Sequence, residues 1–131
     1  MTDRPTMTLT ATVLDCPDPR ALARFYQQLL GWPLDTDDPE WATLRPGEGS
    51  PGLSFQRETD HVPPSWPAGA GEQRTQLHLD IAVEDLAGSV AFAVAAGAVE
   101  AASQPQDDVR VLLDPAGHPF CLYVPCPDVS R

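Results

Sequence analysis

The sequence predicts an α+β fold: two tandem βαβββ units within one domain of residues 1–131, whose mixed sheets curl into a cup with the helices outside. Three observations support it. Each half holds one helical segment bounded by Asp and Gly, strand-like segments flank both helices, and matching positions in the halves lie at a nearly constant spacing. We expect unit 1 to span about residues 7–60 and unit 2 about residues 75–125.

The first helix has clear start and stop signals. Asp18 suits the N-cap, Pro19 the first turn, and Gly31 the C-terminal end. Between them, apolar residues recur at helical spacing and predict one buried stripe. The stripe consists of Leu22, Phe25, Tyr26, Leu29 and Leu30.

The second helix repeats this layout from Asp85 to Gly97. The two aspartates Asp18 and Asp85 are separated by the same number of residues as the two phenylalanines Phe25 and Phe92. Because the halves share few identical residues, the repeat is structural. Its predicted buried stripe consists of Leu86, Val90, Ala93 and Val94.

The strand segments alternate apolar and polar side chains, or form short apolar runs. One precedes each helix, and two or three follow it. They are residues 7–14, 41–44 and 52–57 in the first half, and 75–83, 98–102, 109–113 and 119–124 in the second.

Composition excludes several classes of protein. The net charge of −11 argues against a nucleic-acid partner and against an anionic membrane surface. No apolar run approaches the roughly 18–20 residues that a membrane span needs. An odd number of cysteines without a CxxC pair, namely Cys16, Cys121 and Cys126, favours reduced thiols. We therefore expect a cytoplasmic protein.

Residues 60–74 join the two predicted units. Three prolines and two glycines predict a loop that is long for a connector. Two interpretations stand open: a lid that folds across the mouth of the cup, and a solvated linker.

Three segments resemble one superfamily. Residues 13–32 (VLDCPDPRALARFYQQLLGW), 77–86 (LHLDIAVEDL) and 112–125 (LLDPAGHPFCLYVP) are similar to vicinal-oxygen-chelate proteins, the glyoxalase and bleomycin-resistance group, and to its glyoxalase-like members. The resemblance implies the cup fold, often a homodimer, and in the enzymes a divalent metal held by two side chains from each unit.

By the same resemblance, the four metal positions are Ala11, Ser54, His78 and Cys121. The internal repeat is consistent with this assignment, because Ala11 and His78 are separated by the same number of residues as Ser54 and Cys121. Ala11 offers no ligand, Ser54 is a poor one, and Cys121 binds only as a thiolate. The sequence therefore predicts no metal and no cofactor.

Strand alternation predicts which side chains line the cup. Polar groups and tryptophans together suit a small organic ligand, aromatic or cationic. The predicted ligand-binding residues are Trp32, Trp41, Ser54, Gln56, Trp66, Gln76, His78, Cys121 and Tyr123.

His78 and Asp80 are the predicted catalytic pair if the protein is an enzyme. Two residues apart on one strand face, they are separated by about 6.5–7 Å along the chain, too far to assure a direct bond. Cys121 is a weaker nucleophile candidate. His118 is expected to be exposed in a turn, and His61 belongs to no motif.

Three functions follow, in order of preference. The first is a metal-free protein that binds, and thereby sequesters, a drug-like or secondary metabolite, as in antibiotic resistance. The alternative is a glyoxalase-like, metal-independent isomerase, cyclase or lyase that uses His78 and Asp80. The third is a partner domain with a vestigial cup. We expect a homodimer in each case.

Overall fold

The computed structural model describes residues 4–47 and 50–125. The chain divides into two compact units, Met1–Thr59 and Asp60–Arg131. Both have the predicted βαβββ order, so the α+β class is confirmed. The segment 60–74 belongs to unit 2 rather than lying between the units. Within the described ranges, no helix is both long and apolar enough to cross a membrane.

Unit 1 holds one helix and a four-stranded sheet. Its elements are β1 (Ala11–Cys16), α1 (Pro19–Leu30), β2 (Leu34–Asp37), β3 (Trp41–Leu44) and β4 (Gly52–Arg57). The strand order is β1-β4-β3-β2, with β1 parallel to β4 and the other pairs antiparallel. The sequence did not predict β2, and β1 begins later in the chain than expected.

Helix α1 begins and ends where its caps predict. The Asp18 carboxylate accepts a hydrogen bond from the Ala21 amide at 3.2 Å, and Gly31 adopts the left-handed conformation at φ 72°. The predicted stripe packs on the sheet, where Tyr26 stacks on Phe55 with ring centroids 5.8 Å apart. Helix α1 therefore covers one face of the sheet, and the candidate functional site described below lies on the opposite face.

Unit 2 repeats the arrangement. Its elements are β5 (Leu79–Ala82), α2 (Leu86–Ala96), β6 (Val99–Glu100), β7 (Val109–Leu113) and β8 (Pro119–Tyr123). The strand order is β5-β8-β7-β6, and β5 is parallel to β8. Strand β5 is shorter than the predicted 75–83, and β6 is shorter than 98–102.

The predicted stripe of α2 lies on its less exposed face except at Val94, because Leu86 and Val90 are half-buried. Ala93 is buried, but Val94 is 45% exposed. Phe92 is 57% exposed, whereas its repeat counterpart Phe25 is 3% exposed. The reason lies in the composition of α2, LAGSVAFAVAA, which is apolar all round and gives no polar side to orient the helix.

Register determines which side chains share a face in each sheet. In unit 1, Val13 pairs with Ser54 and Ser54 with Thr43; in unit 2, Asp80 pairs with Cys121. The first and last strands of each unit pair with the same offset, because Ala11 lies opposite Gly52 and Leu79 lies opposite Phe120. The two units thus present equivalent rows of side chains.

Candidate functional site

The face of the unit 1 sheet opposite α1 is polar in its middle row. Thr36, Thr43 and Ser54 are side-by-side neighbours on β2, β3 and β4, and Val13 completes the row on β1. Thr43 and Ser54 are buried, and the Thr43 hydroxyl accepts a hydrogen bond from the Thr36 amide at 3.0 Å. The alternate residues, such as Leu53 and Phe55, are buried in the core.

A cavity of about 290 Å³ lies on this face. Its lining combines hydroxyl groups with one indole and one guanidinium: Thr10, Thr36, Thr43, Ser54, Trp41 and Arg45. The predicted ligand-binding residues Trp41 and Ser54 therefore line one concavity, and Gln56 is the cross-strand partner of Trp41. Trp32, half-buried after α1, is not among the lining residues.

On the sheet of unit 2, three side chains with metal-binding atoms converge. Asp80 and Cys121 are cross-strand partners, and His78 immediately precedes β5. The His78 Nε2 atom lies 3.1 Å from the Asp80 Oδ1 atom. One ligand atom from each of the three residues lies within 4.8 Å of the other two. The predicted catalytic pair is thus in direct contact, closer than its spacing along the chain suggested.

The thiol of Cys121 is held in its neutral form. Burial, the negative charge of Asp80 and a hydrogen bond to Asp80 raise the pKa of this thiol above its usual value. A nucleophilic cysteine needs the opposite shift. The arrangement therefore disfavours Cys121 as the nucleophile in the metal-free protein.

The remaining residues predicted on this sheet face are less well placed. Tyr123 is half-buried at the end of β8, opposite Ala82. Gln76 is exposed in the segment before β5, so strand alternation does not set its direction. Strand alternation predicts that Leu77 packs under the helices, but it is 57% exposed, because it also lies before β5.

The segment 60–74 is anchored within unit 2. The His61 Nε2 atom lies 2.8 Å from the Ala116 carbonyl oxygen, and the Trp66 indole donates to the Ser103 carbonyl at 3.3 Å. A further backbone bond, from the Ser65 amide to the Gln73 carbonyl, closes the segment on itself. The segment is thus tied to unit 2 while most of its residues are exposed, and both interpretations, lid and solvated linker, stay predictions.

His118 is not the exposed turn residue that we expected. Only 18% of its side chain is exposed, and its Nδ1 atom lies 2.8 Å from the Asp114 Oδ2 atom. Asp114 is buried and also accepts hydrogen bonds from the Ala116 and His118 amides. The i,i+4 Asp–His spacing in DPAGH was the available signal. The His118 and His61 rings lie 5.3 Å apart, which links the turn to the segment 60–74.

Comparison with known families resolves the identity of the fold. Residues 11–123 match the family model of the glyoxalase-like domain. The chain belongs to this family. The match to this glyoxalase-like domain runs from the first residue of β1 to the last of β8, and so covers both units. No curated protein matches the sequence significantly.

Solved structures with the same fold are distant in sequence. A glyoxalase/bleomycin resistance protein/dioxygenase family enzyme from Burkholderia phytofirmans PsJN has 21% identity and a TM-score of 0.64, covering 88% of this chain and 97% of its own. The bleomycin-binding protein of Streptomyces verticillus, solved with copper(II)-bleomycin, has 18% identity and a TM-score of 0.56, with 94% and 100% coverage. TioX from Micromonospora sp. ML1 has 21% identity and a TM-score of 0.58, with 90% and 98% coverage.

The four-ligand metal centre that the resemblance implies does not fit these residues. Ala11 has no donor atom in its side chain, and the neutral hydroxyl of Ser54 is a weak ligand. Unit 2 keeps its two positions, His78 and Cys121, and adds a carboxylate from Asp80, so it offers imidazole nitrogen, carboxylate oxygen and sulfur. Asp80 is not one of the four positions carried over from the superfamily.

Proposed function

We propose that this glyoxalase-like domain binds a small organic molecule and sequesters it without turnover, as in resistance to a drug or secondary metabolite. The observation that carries the proposal is the cavity of about 290 Å³ on the unit 1 sheet, close to the lower end of the volume range of ligand pockets. Its hydroxyl groups offer directional hydrogen bonds, and Trp41 offers a flat face for an aromatic group. Family membership and the bleomycin-binding relative support the same function.

The chemistry of the lining favours binding over metal-dependent catalysis. Thr36, Thr43 and Ser54 carry neutral hydroxyl groups, and the guanidinium of Arg45 is paired with the Asp35 carboxylate at 2.8 Å. Such groups orient a ligand but do not by themselves transfer protons near neutral pH. Binding through this face does not need the four-ligand centre.

The test is a binding experiment that observes Trp41 directly. Copper(II)-bleomycin, metal-free bleomycin and a library of aromatic fragments are titrated into the labelled protein, and the three indole NMR signals are followed. We expect one signal, assigned to Trp41 by a Trp41→Phe variant, to shift in a saturable way. Trp41→Ala should weaken binding about tenfold or more, equivalent to about 1.4 kcal/mol or more of lost contact.

Trp32→Phe is the matched control, because Trp32 does not line the cavity. Mass spectrometry of the recovered ligand distinguishes sequestration, in which it returns unchanged, from catalysis. The proposal is wrong if no probe shifts the Trp41 signal, or if Trp41→Ala and Trp32→Phe have equal effects on affinity.

A second candidate is metal-independent catalysis, favoured by the 3.1 Å contact between His78 and Asp80. A carboxylate beside an imidazole orients it as a general base near neutral pH. The reaction classes are isomerisation, cyclisation or elimination. If one of the bound probes is converted, His78→Ala should lower the rate by two or more orders of magnitude; an unchanged rate would remove this candidate.

A cytoplasmic homodimer is also part of the proposal. Apolar side chains such as Met7 and Leu9 are 79% and 74% exposed, and unusually exposed apolar surface marks interfaces. Analytical ultracentrifugation over a range of concentrations tests the dimer, which a monomer mass at every concentration would exclude.

A further inference from the structure

The convergence of His78, Asp80 and Cys121 follows from the backbone of unit 2. Strands β5 and β8 are parallel neighbours, and Asp80 is paired in register with Cys121. His78 lies just before β5, and its Nε2 atom comes within 3.1 Å of the Asp80 Oδ1 atom, so the two side chains reach the same place. Two of the three positions are therefore fixed by strand pairing rather than by flexible loops.

The distances are close to those of a metal site. Zinc bonds of about 2.0–2.3 Å in tetrahedral geometry place the ligand atoms about 3.3–3.8 Å apart. Here the nitrogen and the oxygen are 3.1 Å apart, and all three ligand atoms lie within 4.8 Å of one another. Small side-chain rotations would bring the three atoms to ligand spacing, and the His78 and Asp80 side chains, 43% and 61% exposed, have room to make them.

We propose that unit 2 alone binds one thiophilic divalent ion, of the zinc class, through His78, Asp80 and Cys121. A set of one nitrogen, one oxygen and one sulfur ligand suits zinc or cobalt, and disfavours magnesium and calcium, which take oxygen ligands. Three protein ligands leave a position open for water or another small ligand.

This site shares His78 and Cys121 with the four-position pattern, but it has Asp80 in place of the two ligands that unit 1 would supply. Asp80 occupies the repeat position of Val13, so the additional carboxylate has no counterpart in unit 1. The inference is independent of the proposed ligand function, which uses the unit 1 face. It does exclude general-base catalysis by His78 in the metal-bound protein, because the ion would occupy the basic nitrogen.

Cobalt(II) titration of the full chain tests the site, because cobalt reports its ligands by absorption. We expect binding of one ion per chain, with a thiolate-to-cobalt charge-transfer band in the near ultraviolet. Cys121→Ser should abolish that band. Asp80→Asn and His78→Gln should each lower the affinity for cobalt more than about tenfold, because even changes next to a metal ligand lower affinity by about that factor. Zinc should displace the cobalt and raise the Tm of the wild-type protein.

Two variants are matched controls. Cys126→Ser removes a thiol outside the described residues, and Asp15→Asn removes an exposed carboxylate of unit 1. Both should leave the band and the stoichiometry unchanged, and circular dichroism verifies that each variant is folded. The proposal is overturned if cobalt and zinc do not bind stoichiometrically, or if the band survives Cys121→Ser. Loss of the band in Cys126→Ser instead would also overturn it.

Discussion

Replacement of Asp114 by Ala removes the buried acceptor that organises the turn between β7 and β8. The Asp114 side chain is fully buried. It accepts hydrogen bonds from the Ala116 amide at 2.9 Å and the His118 amide at 3.0 Å, and its Oδ2 atom lies 2.8 Å from the His118 Nδ1 atom. The Asp114→Ala variant would leave all three groups without this partner.

The expected loss is large for one residue. A hydrogen bond to a charged group contributes about 1.5–3 kcal/mol, and an unsatisfied buried donor costs about 1–3 kcal/mol. Because Ala116 and His118 are partly exposed, water replaces some of the lost bonds. We therefore expect the free energy of unfolding to fall by about 3–5 kcal/mol. Asp114→Asn keeps an acceptor for the amides and should lose about half as much.

Urea unfolding followed by circular dichroism measures the loss, and amide hydrogen exchange at Ala116 localises it. Asp108→Ala, a change of an exposed carboxylate, is the control and should stay within about 0.5 kcal/mol of wild type. The reasoning would be refuted if Asp114→Ala and Asp108→Ala had similar effects, because the carboxylate would then contribute no more than surface charge.

Three further predictions concern single side chains. Asp80→Asn removes the negative charge beside Cys121 and alters the hydrogen bond to it, two of the causes that raise the pKa of this thiol. The thiolate fraction of Cys121 near neutral pH should therefore increase. Its rate of alkylation by iodoacetamide, measured by peptide mass mapping, should increase with it. Phe25→Ala should lower the free energy of unfolding by about 3–5 kcal/mol, whereas Phe92→Ala should cost less than about 1 kcal/mol, measured by urea unfolding. Gly52→Ala places a methyl group against a backbone carbonyl oxygen of β3, and thermal melts should show a loss above about 1 kcal/mol.

Each of these three predictions has a control variant and a result that would contradict it. Asp15→Asn should leave the alkylation rate of Cys121 unchanged, and an equal acceleration would show that net charge alone is responsible. Equal losses for the two phenylalanine variants would contradict the unequal burial of the helices. Gly69→Ala meets only the flexible side chain of Glu72 and should melt close to wild type; an equal loss in both glycine variants would contradict the steric argument.

The helix bounds were predicted most reliably from the sequence, because they depend on local capping residues. The bounds of α1 follow from the cap at Asp18 and the left-handed Gly31, and those of α2 follow from Asp85 and Gly97. Strand β2 was missed because its short sequence, LDTD, with two acidic side chains, carries little strand propensity. Its formation depends on pairing with β3, which is a tertiary contact.

The site was predicted less completely, for two physical reasons. Spacing along a strand gives the separation of Cα atoms but not of side-chain tips, so the 3.1 Å contact of His78 with Asp80 was not foreseen. Asp80 was also not considered as a metal ligand from the sequence, because the resemblance to the superfamily points only to the four positions at which its enzymes bind metal. The burial of His118 depends on Asp114, whose own burial requires the folded turn.

The pairing of the first strand of each unit with its last has a consequence for synthesis on the ribosome. Strand β1 cannot gain its parallel neighbour until β4 has emerged, and β5 must wait in the same way for β8. Until then each leading strand lacks a partner, and the apolar stripe of α1 has no complete sheet to cover. Unit 1 can close once residue 57 is free, before the last strand of unit 2 has emerged, so a pause before that point would expose the nascent chain to aggregation.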